Sequence, residues 1–213
     1  MNIWLVLSIL FEFLAFTISV IHYNKIKESS LRSLPFFLFF VFTGEISGIF
    51  IAKVFHNNII FYNVFTTIQV VYYLFLVQSN IQSRSAKRGI VYTVVLFLLV
   101  ALVNYFFIQD VYTELASFTF TMGCLAITIW VAYFFYELLQ SDEIENYLNY
   151  PFFWIALGLF IFYVCNIQYM SVYNYLAVNY KKIFSAYFKI IELLDYMMYS
   201  FFIIGMLCVS RKK

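Results

Sequence analysis

Residues 3–22 read IWLVLSILFEFLAFTISVIH. A helix needs about 20 predominantly apolar residues to cross the hydrocarbon of a bilayer. This stretch has that length, with one ionisable side chain, Glu12, at its centre. Six further stretches of the same kind follow at 34–54, 59–78, 90–108, 114–138, 152–170 and 183–208. The expected fold class is therefore all-α: a polytopic membrane protein, one bundle of seven transmembrane helices over 1–213. The longest polar connections, His22 to Ser33, Ser79 to Gly89, Gln140 to Tyr150 and Ser171 to Lys182, leave no room for a domain outside the membrane. Function is thus expected within the bundle or on its rims.

Composition agrees with that reading. The chain is 64% hydrophobic and only 11% charged, with mean hydropathy +0.88, far from the soluble norm of about a quarter charged. Its 28 Phe and 19 Tyr suit lipid contact and interfacial belts. A net charge of +2 is too small to imply nucleic acid as a partner. Cys124, Cys165 and Cys208 all fall inside apolar spans, which argues against a disulfide framework. The start, Met1-Asn2-Ile3-Trp4, lacks the basic region of a cleavable signal peptide. No internal repeat marks an inverted-repeat transporter.

Lysine and arginine orient the helices. With the N-terminus outside, the inner segments carry Lys25, Lys27, Arg32, Arg84, Lys87, Arg88, Arg211, Lys212 and Lys213, and the outer ones only Lys53, Lys181 and Lys182. The expected topology is N-terminus outside and C-terminus cytoplasmic. The acidic run Glu137, Asp142, Glu143 and Glu145 reads as a solvated loop or as a docking surface for a basic partner.

Polar residues gather at one depth. Glu12, Glu45 and Gln69 are central in the first three spans, and Glu192 and Asp195 lie near the centre of the seventh. An ionisable group there costs about 2.5–3.5 kcal/mol on insertion scales, so it faces the bundle interior and has partners. Helical spacing extends the layer: Ser185, Lys189, Glu192, Tyr196 and Tyr199 form one stripe, and Tyr62, Thr66, Gln69 and Tyr73 another. Ser8, Glu12 and Ser19, and Ser117, Thr121, Cys124 and Thr128, add shorter ones. The expected cavity residues are Glu12, Glu45, Gln69, Tyr73, Lys189, Glu192, Asp195 and Tyr199. Spans one, two, three and seven should line the cavity, with five and six at its edge. Span four, apolar from Val94 to Val103, should face lipid most fully.

Lys189 has the i+3 spacing to pair with Glu192, but one lysine cannot neutralise four carboxyls. The others must be protonated, hold a cation or ligand, or line water; the bland alternative is a hydrogen-bonded network that sets helix register. Gly44 and Gly48 form a GxxxG pattern, either a dimer face or a seat for Glu45 against a neighbouring helix. His22 and His56, the only histidines, fall at opposite membrane faces, so neither a metal site nor a serine–histidine triad is expected, and no cofactor. A retinal Schiff base at Lys189 would want an acid on span three, where Gln69 stands instead.

Several short motifs carry a resemblance. Phe11-Glu12-Phe13-Leu14, Thr43-Gly44-Glu45, Asn63 with Thr66-Thr67-Ile68-Gln69, Phe153-Trp154-Ile155 with Gly158, and Gly205-Met206-Leu207-Cys208 resemble a family of small seven-span membrane proteins common in Bacteroidota. Many of its members carry Glu where this chain has Gln69. The resemblance implies a bacterial inner-membrane location and no particular activity. At the level of fold alone, the chain is also similar to the rhodopsin-like group that includes lysoplasmalogenases, which use membrane acids.

The first functional reading is a non-enzymatic cavity, open to the outer half, that binds or senses a small or lipidic ligand. Its partners would be membrane lipids and a cytoplasmic or membrane signalling protein. The second is a metal-independent enzyme acting on a lipid, with Glu45 and Asp195 or Glu192 as acid and base. The third is a proton-coupled carrier.

Overall fold

Pro35 and Pro151 each sit in the first turn of a long helix, where the missing N–H would have had no helical partner anyway. His56, with φ at 55°, closes the helix before it in the left-handed conformation. The computed structural model describes residues 3–27 and 29–209, without the side chains of 142–145 and 209. The charged side chains Asp142, Glu143, Glu145, Arg211, Lys212 and Lys213 therefore lie outside what is described.

Nine α-helices run through the described residues: α1 Ile3–Ile21, α2 Tyr23–Ile26, α3 Leu34–Phe55, α4 Ile59–Asn80, α5 Arg84–Val103, α6 Ser117–Leu139, α7 Pro151–Ser171, α8 Tyr173–Asn179 and α9 Lys181–Val209. Helix accounts for 87% of the structure, and no strand is present among the described residues. Seven helices are long and apolar enough to cross a membrane, namely α1, α3, α4, α5 with its π-helical extension Asn104–Ile108, α6, α7 and α9. The expected boundaries shift in two places. The fourth span starts at Arg84 rather than at 90, because Ser83 accepts from Ala86 N at 3.4 Å and so caps a polar first turn. The sixth helix starts at Ser117 rather than at 114, because residues 110–115 are tied into the preceding loop by Asp110, Asn63 and Asn174.

The spans close into a ring. α9 packs on α7 and α1, α1 on α3, α7 on α6, and α6 on α4, while α3 and α4 meet sparingly. The fourth span stands outside this ring, against α4 and α6. Its burial differs from expectation. Ala86, Ile90, Val94, Phe97 and Ala101 make a buried stripe, and Trp130 Nε1 of α6 donates to Thr93 Oγ1 at 3.0 Å. The least covered span is α1, with 17% of its most apolar window buried against 28% for Arg84–Ile108. Apolar side chains suit lipid and protein neighbours equally, so a uniformly apolar span does not announce which it meets.

Two other expectations resolve within the bundle. Glu137 is a helix anchor: its carboxylate accepts Gln82 N at 2.8 Å and Ser83 N at 3.0 Å, at the start of α5. Gly44 and Gly48 are buried against α4, where a Cβ on Gly48 would fall 2.7 Å from the Tyr62 hydroxyl and one on Gly44 would strike the Phe65 ring. The GxxxG face is spent inside the protomer.

Candidate functional site

The seating of the Phe65 and Tyr62 rings of α4 on these glycines of α3 sets the first wall of the site. With no side chain at position 48, the Tyr62 ring lies over α3, and its hydroxyl donates to Glu45 Oε2 at 2.8 Å. On the far side, α1 and α9 are joined by two polar contacts. Ser8 Oγ donates to Asp195 Oδ2 at 2.5 Å, and Tyr196 Oη donates to the Trp4 carbonyl at 2.5 Å. The Tyr196 ring stacks on Trp4 and on Phe11, with centroids 6.4 and 5.5 Å apart. These ties leave one turn of α1, carrying Glu12, facing the middle of the ring.

A cavity of about 180 Å³ occupies that middle, room for about six waters at ~30 Å³ each. Seven of the eight expected residues line it: Glu12 from α1, Glu45 from α3, Gln69 and Tyr73 from α4, and Glu192, Asp195 and Tyr199 from α9. Phe120 of α6 and Phe162, Tyr163, Asn166 and Met170 of α7 complete the wall, and α5 contributes nothing. Leu5 near the start of α1 and Met170 near the end of α7 also line it. The cavity thus reaches from mid-bundle towards the end at which α1 begins. Tyr73 and Tyr199, both buried, lie furthest from that end.

Lys189 is the exception. It is exposed and does not line the cavity. Residues 181–190 are exposed apart from Phe184, and the Phe184 and Tyr187 rings tie this part of α9 to Tyr169 of α7. Glu192 meets the Tyr196 hydroxyl of its own helix but keeps Oε2 without a partner, and the expected stripe from Ser185 through Lys189 to Tyr199 breaks between Lys189 and Glu192. Its lower part enters the cavity, and Tyr196 turns to α1. The polar stripe of the fifth span is likewise not in the wall: Ser117 takes part in bonds with Gln109 and Asn174, and Thr121 donates to the Ser117 carbonyl of its own helix. Ser19 donates to the Phe16 carbonyl.

One residue stands out that the sequence does not single out, and another proves structural. Asn166 is fully buried; its Nδ2 donates to the Phe162 carbonyl at 2.9 Å and its Oδ1 has no partner. An amide in the outer part of an apolar span, with Gln168 two residues on, was the available signal. Asn63, by contrast, is satisfied on every side. It accepts Ala116 N at 2.8 Å and donates to the Val111 and Glu114 carbonyls at 3.2 Å each, so it pins the loop before α6. Among the motif residues, Asn63 is an anchor.

Charge and hydrogen bonding within the cavity are one-sided. Among the described lining residues there are four carboxyls and no Lys, Arg or His. Glu12 Oε2, Glu192 Oε2 and Asn166 Oδ1 are buried and unpartnered. Leaving a buried polar group unsatisfied costs about 1–3 kcal/mol. Among the described residues, no group of three or more His, Cys, Asp or Glu is placed to hold a metal ion. The arrangement is suited to receiving hydrogen-bond donors in a small, partly aromatic chamber.

Comparison with family models, with curated proteins and with solved structures gives no match. Function must therefore be argued from the cavity itself.

Proposed function

We propose that this is a bacterial inner-membrane protein that binds a small or lipidic ligand in its polar cavity, with the N-terminus outside and the C-terminus cytoplasmic. One observation carries the reading: three buried acceptor atoms, on α1, α7 and α9, are unpartnered in a cavity that the other polar groups also line. A network that served only to set helix register would close its own hydrogen bonds. Here Glu45 and Asp195 are tied by Tyr62 and Ser8, while Glu12, Glu192 and Asn166 each keep a free oxygen. The family resemblance fits a membrane location of this kind. With the orientation set by the basic residues, the cavity lies in the outer half, and a ligand entering from outside would be felt at α1 and α9. A signalling partner would then read the inner loops around Arg32 and Arg84.

Native mass spectrometry of the protein extracted from its own membrane in mild detergent tests this reading. The expected result is a bound small molecule or lipid on the wild type that is lost in E12Q and D195N at unchanged helical content. Identical bare spectra for all three proteins would overturn it.

A further inference from the structure

We infer that the group bound in the cavity is a primary ammonium, an inference that rests on the ligand-cavity reading above. An anion needs donors, and the lining presents four carboxyls with no cationic side chain among the described residues. A bare metal ion needs several ligands converging at short range, and among the described residues no group of three or more His, Cys, Asp or Glu is placed for one. A neutral molecule with a single hydroxyl donates one hydrogen bond and would meet only one of the unpartnered oxygens.

What the wall offers is a set of acceptors. Glu12 Oε2, Glu192 Oε2 and Asn166 Oδ1 are buried, unpartnered and borne by cavity-lining residues. Glu12 is 3% exposed and Asn166 0%. Asn166 matters most, because an amide oxygen accepts in every state of charge and its Nδ2 is already used on the Phe162 carbonyl. A primary ammonium carries three N–H donors and no acceptor, and so can answer a wall of free oxygens. The aromatic walls add to this. Tyr73, Tyr163 and Tyr199 line the same space, and ring faces attract a desolvated cation. A cavity of about 180 Å³ admits an ammonium with a short alkyl stem and excludes a whole lipid. The ammonium is thus either that of a free amine or the headgroup of an aminophospholipid whose chains remain outside. A quaternary ammonium has the charge but no N–H, and would leave all three oxygens unpartnered. The cavity should therefore prefer primary over quaternary nitrogen.

The test uses the full-length protein in nanodiscs of phosphatidylcholine alone, in potassium phosphate, with thermal unfolding and calorimetric titration as readouts. The probes are propylammonium, tetramethylammonium, sodium and propanol, with a second set of discs containing phosphatidylethanolamine. Propylammonium is expected to bind at least tenfold tighter than tetramethylammonium, and E12Q and N166A each to weaken it tenfold or more. Wild-type selectivity among the probes stands as a measurement even if one variant folds poorly. Stabilisation only in the phosphatidylethanolamine discs, competed by propylammonium, supports the ammonium and assigns it to a lipid headgroup. Binding of propylammonium in phosphatidylcholine discs supports it and assigns it to a free amine. If tetramethylammonium, sodium or propanol binds as tightly and the variants weaken it, the ammonium class is overturned and the ligand cavity stands. If no probe and no headgroup has an effect, the ammonium class is overturned, and the mass spectrometry above decides whether the ligand cavity falls with it.

Discussion

Tyr62 and Gly48 show how one missing side chain positions a carboxyl. The hydroxyl that holds Glu45 sits where a Cβ on residue 48 would be, so Gly48→Val should force the ring away. Overpacking of this kind costs about 1–3 kcal/mol, and thermal unfolding in detergent should show G48V destabilised and Y62F less so. Equal losses in the two would mean that the hydrogen bond, not the close approach, holds α3 to α4. On the other side of the cavity, Ser8→Ala removes the one donor the structure gives Asp195. A hydrogen bond of this kind contributes about 0.5–1.5 kcal/mol. S8A is expected to lose stability that D195N, which keeps a partner for Ser8, largely retains; a neutral S8A would mean that the pair does not join α1 to α9.

For the helices, α5 gives the clearest contrast between lipid and protein surroundings. Leu98 and Leu99 are 39% and 54% exposed, on the open side, whereas Phe97 is 4% exposed against the ring. Truncating Leu98 or Leu99 to Ala should be nearly neutral, because lipid fills the space left behind, while Phe97→Ala should cost about 3–5 kcal/mol. A thermal-shift series with large losses at both leucines would place this face against protein. The start of the same helix depends on Glu137, which accepts two backbone N–H groups there. Losing a cap costs about 0.5–2 kcal/mol. E137A is expected to fall in that range and to raise hydrogen exchange at residues 82–86, and unchanged exchange would remove Glu137 from that role.

At the scale of the molecule, orientation and coupling are the open quantities. With nine basic residues assigned inside and three outside, a periplasm-specific reporter fused after Lys213 should be silent and one inserted near Asn57 active. The reverse pattern would put the cavity on the cytoplasmic side. Within the bundle, Glu45 and Asp195 are held by different helices but line one cavity. A double-mutant cycle of E45Q with D195N should give an interaction energy of about 0.5–3 kcal/mol in thermal stability, as neighbouring sites do. Simple additivity would make the two carboxyls independent of one another.

The number of spans and most of their limits were legible in the sequence, because each depends on local quantities. Twenty apolar residues specify a span wherever it is placed, and Glu12, Glu45, Gln69 and Asp195 carry their depth with them. Which face of a span meets protein was not legible: lipid and protein interior are equally apolar, so α5 looked free while α1 proved the less covered. Nor was the fate of a stripe, since Lys189 and Glu192 share a helix face yet only the second has neighbours around it. Asn166 and Asn63 look alike as amides within apolar spans. Only the ring of helices decides that one is saturated by a loop and the other keeps a free oxygen in the cavity, because a hydrogen bond made between distant segments is a property of their packing and not of either segment alone.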